Sequence, residues 1–357
     1  MPTASLTISP GKFWGLRRMA DEQGFFRMLA VDQRPPIKNL IKERLGVEAA
    51  PPAETREVKS VLMSELAPAA SAVLADPTHA LTNALSCLDP SHGLIVTLED
   101  SIFHEESGGR RSQPIPNWTV DKIRRVGGDA VKVLTWYRPD QSEPTRQHQL
   151  DFTRRIGEAC AEHDIPFLLE MLVYPLKDKE GHTTDYVEQP GKRAEDVLKS
   201  VETFAASSYG VDVFKLESPI PAAEVPDPET GDAAAVERCQ ELFNEMGRLA
   251  GRPWVVLSAG ATQSAFKRVL HYAYRAGASG FLAGRAIWWD AFQAYPDMRA
   301  VRCGLREGGL PYMEELNALT VRSATPWNKH PVFGHYRPEP TGYNATDFAA
   351  RYAGTRS

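Results

Sequence analysis

Eight short apolar runs rich in β-branched residues recur along the chain, at 26–32, 71–75, 94–98, 130–134, 167–173, 211–216, 254–258 and 280–283. Most are nearly continuous hydrophobic stretches, as expected of parallel strands buried on both faces. Between them the spacing becomes helical. Phe266, Val269, Leu270 and Ala273 fall at i, i+3, i+4 and i+7, with Thr262 placed as a cap and Gly277 as a stop. Phe152, Ile156, Ala159 and Cys160 do the same between the fourth and fifth runs. Strand alternating with helix, without a hairpin signal, predicts a parallel sheet. The eight units fit within 26–291, close to the ~250 residues of a closed (β/α)8, or TIM, barrel. An open doubly wound sheet competes, but no G-x-G-x-x-G turn follows the first run. The expectation is an α/β protein with one barrel domain over 26–327, an N-terminal extension over 1–25 and a C-terminal tail over 328–357.

Three long polar or Pro/Gly-rich segments follow the third, fifth and sixth runs, at 100–118, 174–191 and 218–232. All are βα loops, which a barrel gathers at its C-terminal face, where the active sites of this fold lie. Each alone reads as a tolerated surface insertion; together they predict walls or a lid around a pocket. The tail has few periodic apolar residues and is expected to pack loosely or at a subunit contact.

Composition narrows the function. Of the 357 residues 42% are hydrophobic, too many for a disordered chain. Lysine and arginine number 41 against 46 aspartates and glutamates, a net charge of -5, which argues against nucleic acid or an anionic membrane as the main partner. No run of eighteen apolar residues predicts a bilayer span, and the start lacks the order of a secretion signal. Cys87, Cys160, Cys239 and Cys303 are scattered, without C-x-x-C spacing. They read as small buried hydrophobes in a reducing compartment, so a cytoplasmic protein is expected.

Ionisable residues stand where a buried sheet should have none, because an unpaired charge there is costly. Asp32, Lys132, Glu170, Lys215 and Glu217 lie within or at the end of predicted strands, and Arg285 follows Gly284 after the eighth. Alternation puts Lys215 and Glu217 on one face, and inward residues near the rim meet across a barrel. A lysine attacks a carbonyl only as the free amine, so its pKa must fall from about 10.4. Apolar neighbours Val213, Phe214 and Leu216, and Lys132 two strands away, favour that form of Lys215. Glu170, set within Phe167-Leu168-Leu169-Glu170-Met171-Leu172, would be a desolvated acid/base. A buried ion-pair network that merely closes the barrel accounts for the same residues.

A second signal sits at the last two strands. Ser258-Ala259-Gly260-Ala261-Thr262 runs into a helix start, and Gly284-Arg285 follows the eighth run. Backbone N–H groups, small residues and an arginine fork suit a phosphate or a sulfonate. A glycine turn and a helix cap would also explain them, but barrels often hold phosphate at this place. His79, His92, His104, His163 and His182 show no H-x-x-x-H or H-E-x-x-H spacing, so no metal site is expected. His104 and His182 read as solvated loop residues. No G-x-S-x-G elbow occurs. Trp288 and Trp289 read as anchors of the eighth helix or a subunit interface.

Leu29-Ala30-Val31-Asp32-Gln33-Arg34, Ala130-Val131-Lys132, Pro166-Phe167-Leu168-Leu169-Glu170, Asp212-Val213-Phe214-Lys215-Leu216-Glu217, Leu257-Ser258-Ala259-Gly260 and Gly284-Arg285-Ala286 occur in that order. With Thr325-Pro326-Trp327 near the end, they resemble the class I tagatose-1,6-bisphosphate aldolase family, which includes sulfofructose-phosphate aldolases. The resemblance implies a lyase in which Lys215 forms the Schiff base, Lys132 is the second lysine and Glu170 transfers protons. It implies substrate contacts from Asp32, Gln33, Arg34 and Glu217 and a phosphate site from Ser258, Gly260, Gly284 and Arg285. The expected reaction is reversible cleavage of a ketose 1-phosphate or bisphosphate to dihydroxyacetone phosphate and an aldehyde such as glyceraldehyde 3-phosphate. The iminium serves as electron sink, so no metal or cofactor is expected, and a homo-oligomer is. Pro35-Pro36 departs from the small residue expected after Arg34. Two alternatives stand: a sulfofructose-1-phosphate aldolase releasing sulfolactaldehyde, decided by loop cations such as Arg110, Arg111 and Lys177, and a non-catalytic sugar-phosphate-binding regulator.

Overall fold

The computed structural model describes residues 8–106, 108–177, 189, 191–333, 338–340 and 346–352. Eight parallel strands close into a barrel: β1 (Phe26–Ala30), β2 (Ala72–Ala75), β3 (Gly93–Thr97), β4 (Ala130–Trp136), β5 (Phe167–Leu172), β6 (Val213–Leu216), β7 (Trp254–Val256) and β8 (Gly280–Ala283). Each pairs with its neighbours in the chain, and β8 returns to β1. The expected barrel is present, and its strands fall on the eight apolar runs. Several end sooner than the runs do; the first ladder stops at Ala30, two residues before Asp32.

Alternation along the pleat divides the core in two. Leu29, Val73, Val96, Val131, Leu169, Phe214, Val256 and Phe281 point outward against the helices. Met28, Ala72, Leu74, Ile95, Ala130, Leu168, Val213, Val255 and Leu282 fill the barrel. The helix Gln263–Arg275 shows the outer layer at work. Thr262 caps it by accepting from Ala265 N, and Ala265, Phe266, Val269, Leu270 and Ala273 turn inward. Phe266, Val269 and Leu270 each contribute about 2 kcal/mol by leaving water, and the two alanines less.

The lower end of the barrel is stoppered. The helix Pro10–Met19, in the N-terminal extension, packs Leu16 and Met19 beneath Phe26. Trp327 joins them, its ring centroid 5.9 Å from that of Phe13 and 5.9 Å from that of Phe333. Phe333, in the expected loose tail, is therefore buried core beside Trp327, whereas Lys329 and Pro331 are exposed.

Two sequence readings are corrected. The segment after β3 contains a hairpin of His104–Glu106 and Gly109–Arg111, although no hairpin signal was visible. Its strands carry charges in place of alternating apolar residues. Cys160 and Cys239 are buried as expected, whereas Cys87 and Cys303 are exposed. Of the loop histidines, His104 is exposed on the hairpin and His182 lies outside the described residues.

Candidate active site

Two residues above Ala130, Leu168 and Val213, the inward positions of β4, β5 and β6 become Lys132, Glu170 and Lys215. Glu170 and Lys215 are register partners, and Lys215 Nζ donates to Glu170 Oε2 at 2.9 Å. Lys132 Nζ lies 2.8 Å from the same oxygen. It also donates to Asp32 Oδ2 at 3.0 Å and to Glu99 Oε1 at 2.7 Å. All five side chains are buried. Glu170 thus stands between the two lysines, which lie two strands apart.

The charges settle each other. Burial pushes the Glu170 carboxyl up, but Lys132 and Lys215 outweigh it and hold it below its ordinary 4.5. Burial likewise opposes ionisation of Asp32, and Lys132 and Lys215 override it by a wide margin. Burial would strip Lys132 of its proton; Asp32, Glu170 and Glu99 reverse that and place its pKa well above 10.5. Glu170 is therefore an ionised carboxylate, a proton acceptor at rest, where desolvation alone would have left it protonated.

Glu99 escaped the sequence reading. It follows Leu98 at the top of β3 and accepts from Thr97 Oγ1 at 2.5 Å. The signal was present, since a carboxylate just past a fully apolar strand is as anomalous as Glu170. Its neighbour Asp100 made it look like the start of a loop.

Arg34 is buried across from it. Its Nη1 donates to Glu99 O at 3.0 Å, and its Nη2 lies 3.7 Å from Glu99 Oε1. Gln33 lines the same cavity, and its buried Oε1 has no hydrogen-bond partner among the described residues. Pro35 lines it too and opens the helix Pro35–Leu45, where its fixed φ suits the first turn.

Opposite, Ser258 and Ala259 line the cavity beneath Gly284 and Arg285. Ala261 N donates to Ser258 O at 2.7 Å, closing a turn with Ala259 at φ 46° and Gly260 at φ 86°. A Cβ on Gly260 would lie 3.2 Å from Arg285 Nη1, so the glycine admits the guanidinium. Gly284 is as constrained: a Cβ there would stand 2.5 Å from Ala30 O.

The structure brings Asp32, Gln33, Arg34, Lys132, Glu170, Lys215, Ser258, Gly284 and Arg285 to one cavity, with Gly260 behind Arg285. Glu217 does not line it. Because β6 ends at Leu216, the alternation that put Glu217 on the face of Lys215 stops there. Its carboxylate accepts from Val173 N at 2.7 Å and from buried Lys192 Nζ at 2.9 Å. Arg110 is also withdrawn. Its guanidinium sits 4.6, 4.6 and 4.8 Å from the ring centroids of Phe103, Trp136 and Tyr174, and its Nε donates to Glu105. Arg111 lies 3.3 Å from Glu106, and Lys177 is exposed.

A lysine, an abutting carboxylate and a second, permanently charged lysine at the mouth of a barrel can run imine chemistry. The model of the DeoC/LacD family aldolases matches residues 26–290, which contain every residue of this cavity. The chain belongs to the DeoC/LacD aldolase family. This aldolase is 33% identical over 326 residues to the tagatose 1,6-diphosphate aldolase of Listeria monocytogenes serotype 4a (strain HCC23), spanning 90% of this chain and 94% of that one. It is 30% identical over 327 residues to that of Lactococcus lactis subsp. lactis, spanning 90% and 99%. Among solved structures it matches an archaeal fructose 1,6-bisphosphate aldolase with a TM-score of 0.54 at 17% identity, covering 86% of this chain and 97% of that one. The last likeness speaks to the barrel. The family match and the aldolase relatives make this protein an aldolase, and so a lyase. Among the described residues no helix is long and apolar enough to cross a membrane.

Proposed function

We propose that this aldolase reversibly cleaves a ketose 1-phosphate or 1,6-bisphosphate of the tagatose type. The products are dihydroxyacetone phosphate and an aldehyde such as glyceraldehyde 3-phosphate. One observation carries the reading: the 2.9 Å contact between Lys215 Nζ and the Glu170 carboxylate, with Lys132 bound on the far side. Lys215 passes a proton to Glu170 and attacks the C2 ketone as the free amine. Loss of water from the carbinolamine gives an iminium. Glu170, ionised again, takes the proton of the C4 hydroxyl directly or through a water. The C3–C4 bond breaks, the aldehyde leaves, and the bonding pair enters the enamine. Protonation at C3 and hydrolysis then free Lys215. Lys132 keeps its charge throughout and steadies the anionic side chains around it.

Arg285 and the backbone at Ser258, Gly260 and Gly284 supply the phosphate donors. Asp32, Gln33 and Arg34 face the ketose end, and the unpartnered Gln33 Oε1 suits a sugar hydroxyl. Glu217 supports the wall through Lys192 and Val173 and takes no part in binding. Tyr174, Trp136 and Phe103 sequester Arg110, which leaves Arg111 and Lys177 as the nearer loop cations for a distal anion. Four cysteines without a disulfide fit a reducing cytoplasm.

Borohydride reduction in the presence of dihydroxyacetone phosphate, followed by peptide mass mapping, tests the reading. The expected result is a stable adduct on Lys215 alone, absent from Lys215→Arg. Turnover that survives Lys215→Arg, or an adduct on another lysine, overturns it.

A further inference from the structure

The β1 ladder ends at Ala30, yet Asp32, Gln33 and Arg34 must be held still beyond it. Val31 N still pairs with Leu74 O at 2.9 Å. The last two carbonyl oxygens are captured by side chains from the helical layer. Trp288 Nε1, on the helix Arg285–Phe292, donates to Ala30 O at 3.1 Å. Lys59 Nζ, on the helix Pro52–Leu66, donates to Val31 O at 2.7 Å. Both side chains are fully buried. Lys59 is also paired with Asp76, equally buried just past β2. The other Asp76 oxygen accepts from the Thr78 and His79 N–H groups at 3.0 and 2.9 Å.

Stability does not explain this pair. Desolvating two charges offsets most of their attraction, and apolar side chains of similar volume commonly serve as well. A charged donor on one chosen carbonyl does something an apolar pair cannot. It fixes the backbone one residue before Asp32, whose carboxylate meets Lys132 at 3.0 Å. Trp288 does the same one residue earlier. Neither Lys59 nor Trp288 lines the cavity.

We propose that Lys59, braced by Asp76, and Trp288 are positioning residues that set Asp32 against Lys132. The kinetic consequence rests on the proposed function; the geometric one does not. Lys59→Met combined with Asp76→Asn removes both charges and keeps an acceptor for Thr78 and His79. Trp288→Phe removes the indole donor, with part of the ring volume, and keeps an aromatic ring in place; it decides the matter if the first variant fails to fold. In the folded variants kcat/KM for the ketose phosphate should drop about tenfold or more, mostly in kcat. Added to Asp32→Asn, they should cost nothing further, because the loss runs through Asp32. Wild-type rates, or losses that multiply with that of Asp32→Asn, overturn the proposal. Crystal structures of the variants should show the Asp32–Lys132 contact lengthened beyond 3.0 Å; an unchanged contact also overturns it. That measurement needs no turnover. If the native enzyme cleaves no ketose phosphate, the proposed function fails and the clamp is still judged.

Discussion

Glu170 and Lys215 are opposite one another in the β5–β6 ladder, carboxylate and ammonium 2.9 Å apart inside a closed sheet. Removing the carboxylate should slow both imine formation and carbon–carbon cleavage, since Glu170 takes a proton in each. Glu170→Gln is expected to lower kcat by about 10² to 10⁴. The borohydride adduct on Lys215 should accumulate more slowly with dihydroxyacetone phosphate, because Glu170 is also the acceptor for the lysine's proton. Rapid-quench rates and adduct mass, measured on one preparation, check both halves.

Acid stability follows from the same cluster. Asp32 and Glu170 are held below their ordinary 3.8 and 4.5, the two lysines winning over burial in each case. A carboxyl depressed on folding stabilises the protein above its unfolded pKa, and the stabilisation is lost as pH falls through the folded value. Melting temperature should therefore hold steady down to about pH 4.5 and decline below it. Lys132→Met removes the cation both carboxylates share and displaces their folded pKa values upward, towards or above the unfolded ones, so in that variant the decline on acidification should shrink or disappear. Thermal melts between pH 3 and pH 7 measure the displacement.

Arg110 is expected to matter for stability more than for substrate. Its charge is enclosed by three rings and paired with Glu105, so Arg110→Met strands a partly buried carboxylate and costs about 3 kcal/mol. Denaturant unfolding should show that loss. The KM for a ketose bisphosphate should stay close to that of the native enzyme. A selective rise in KM would return Arg110 to the binding surface.

Gly260→Ala should weaken phosphate recognition without unfolding the protein. The position has φ 86°, and the new Cβ would crowd Arg285 Nη1 from 3.2 Å. Displacing one charge-assisted bond, worth about 1.5 kcal/mol, raises KM about tenfold. Inhibition constants for inorganic phosphate, compared between the two proteins, provide the check.

The legible part of this site was legible for a reason. In strands buried on both faces every charged residue is an anomaly, so Lys132, Glu170 and Lys215 stood out, and alternation placed them in one layer. Where the ladder stops, that logic stops. Glu217 follows β6 by one residue and turns to Lys192, while Glu99 follows β3 and looked like loop. Lys59 was invisible for the opposite reason. A lysine on an amphipathic helix normally lies along the solvated face, and nothing in residues 52–66 says that this one reaches inward. The hairpin at 104–111 was missed because its strands carry His, Glu and Arg instead of alternating apolar residues.

The plug formed by Leu16, Met19, Trp327 and Phe333 closes the lower end of the barrel, so among the described residues the cavity opens at the end where Lys132, Glu170 and Lys215 stand. For the proposed sugar, tethered by its ketone carbon to Lys215, the untethered fragment departs first. Under the proposed reaction the three-carbon ketone, held on Lys215, must be seated before its partner in the synthetic direction. The covalent tether, above a floor closed by these side chains, gives the kinetics their sequence of arrivals and departures.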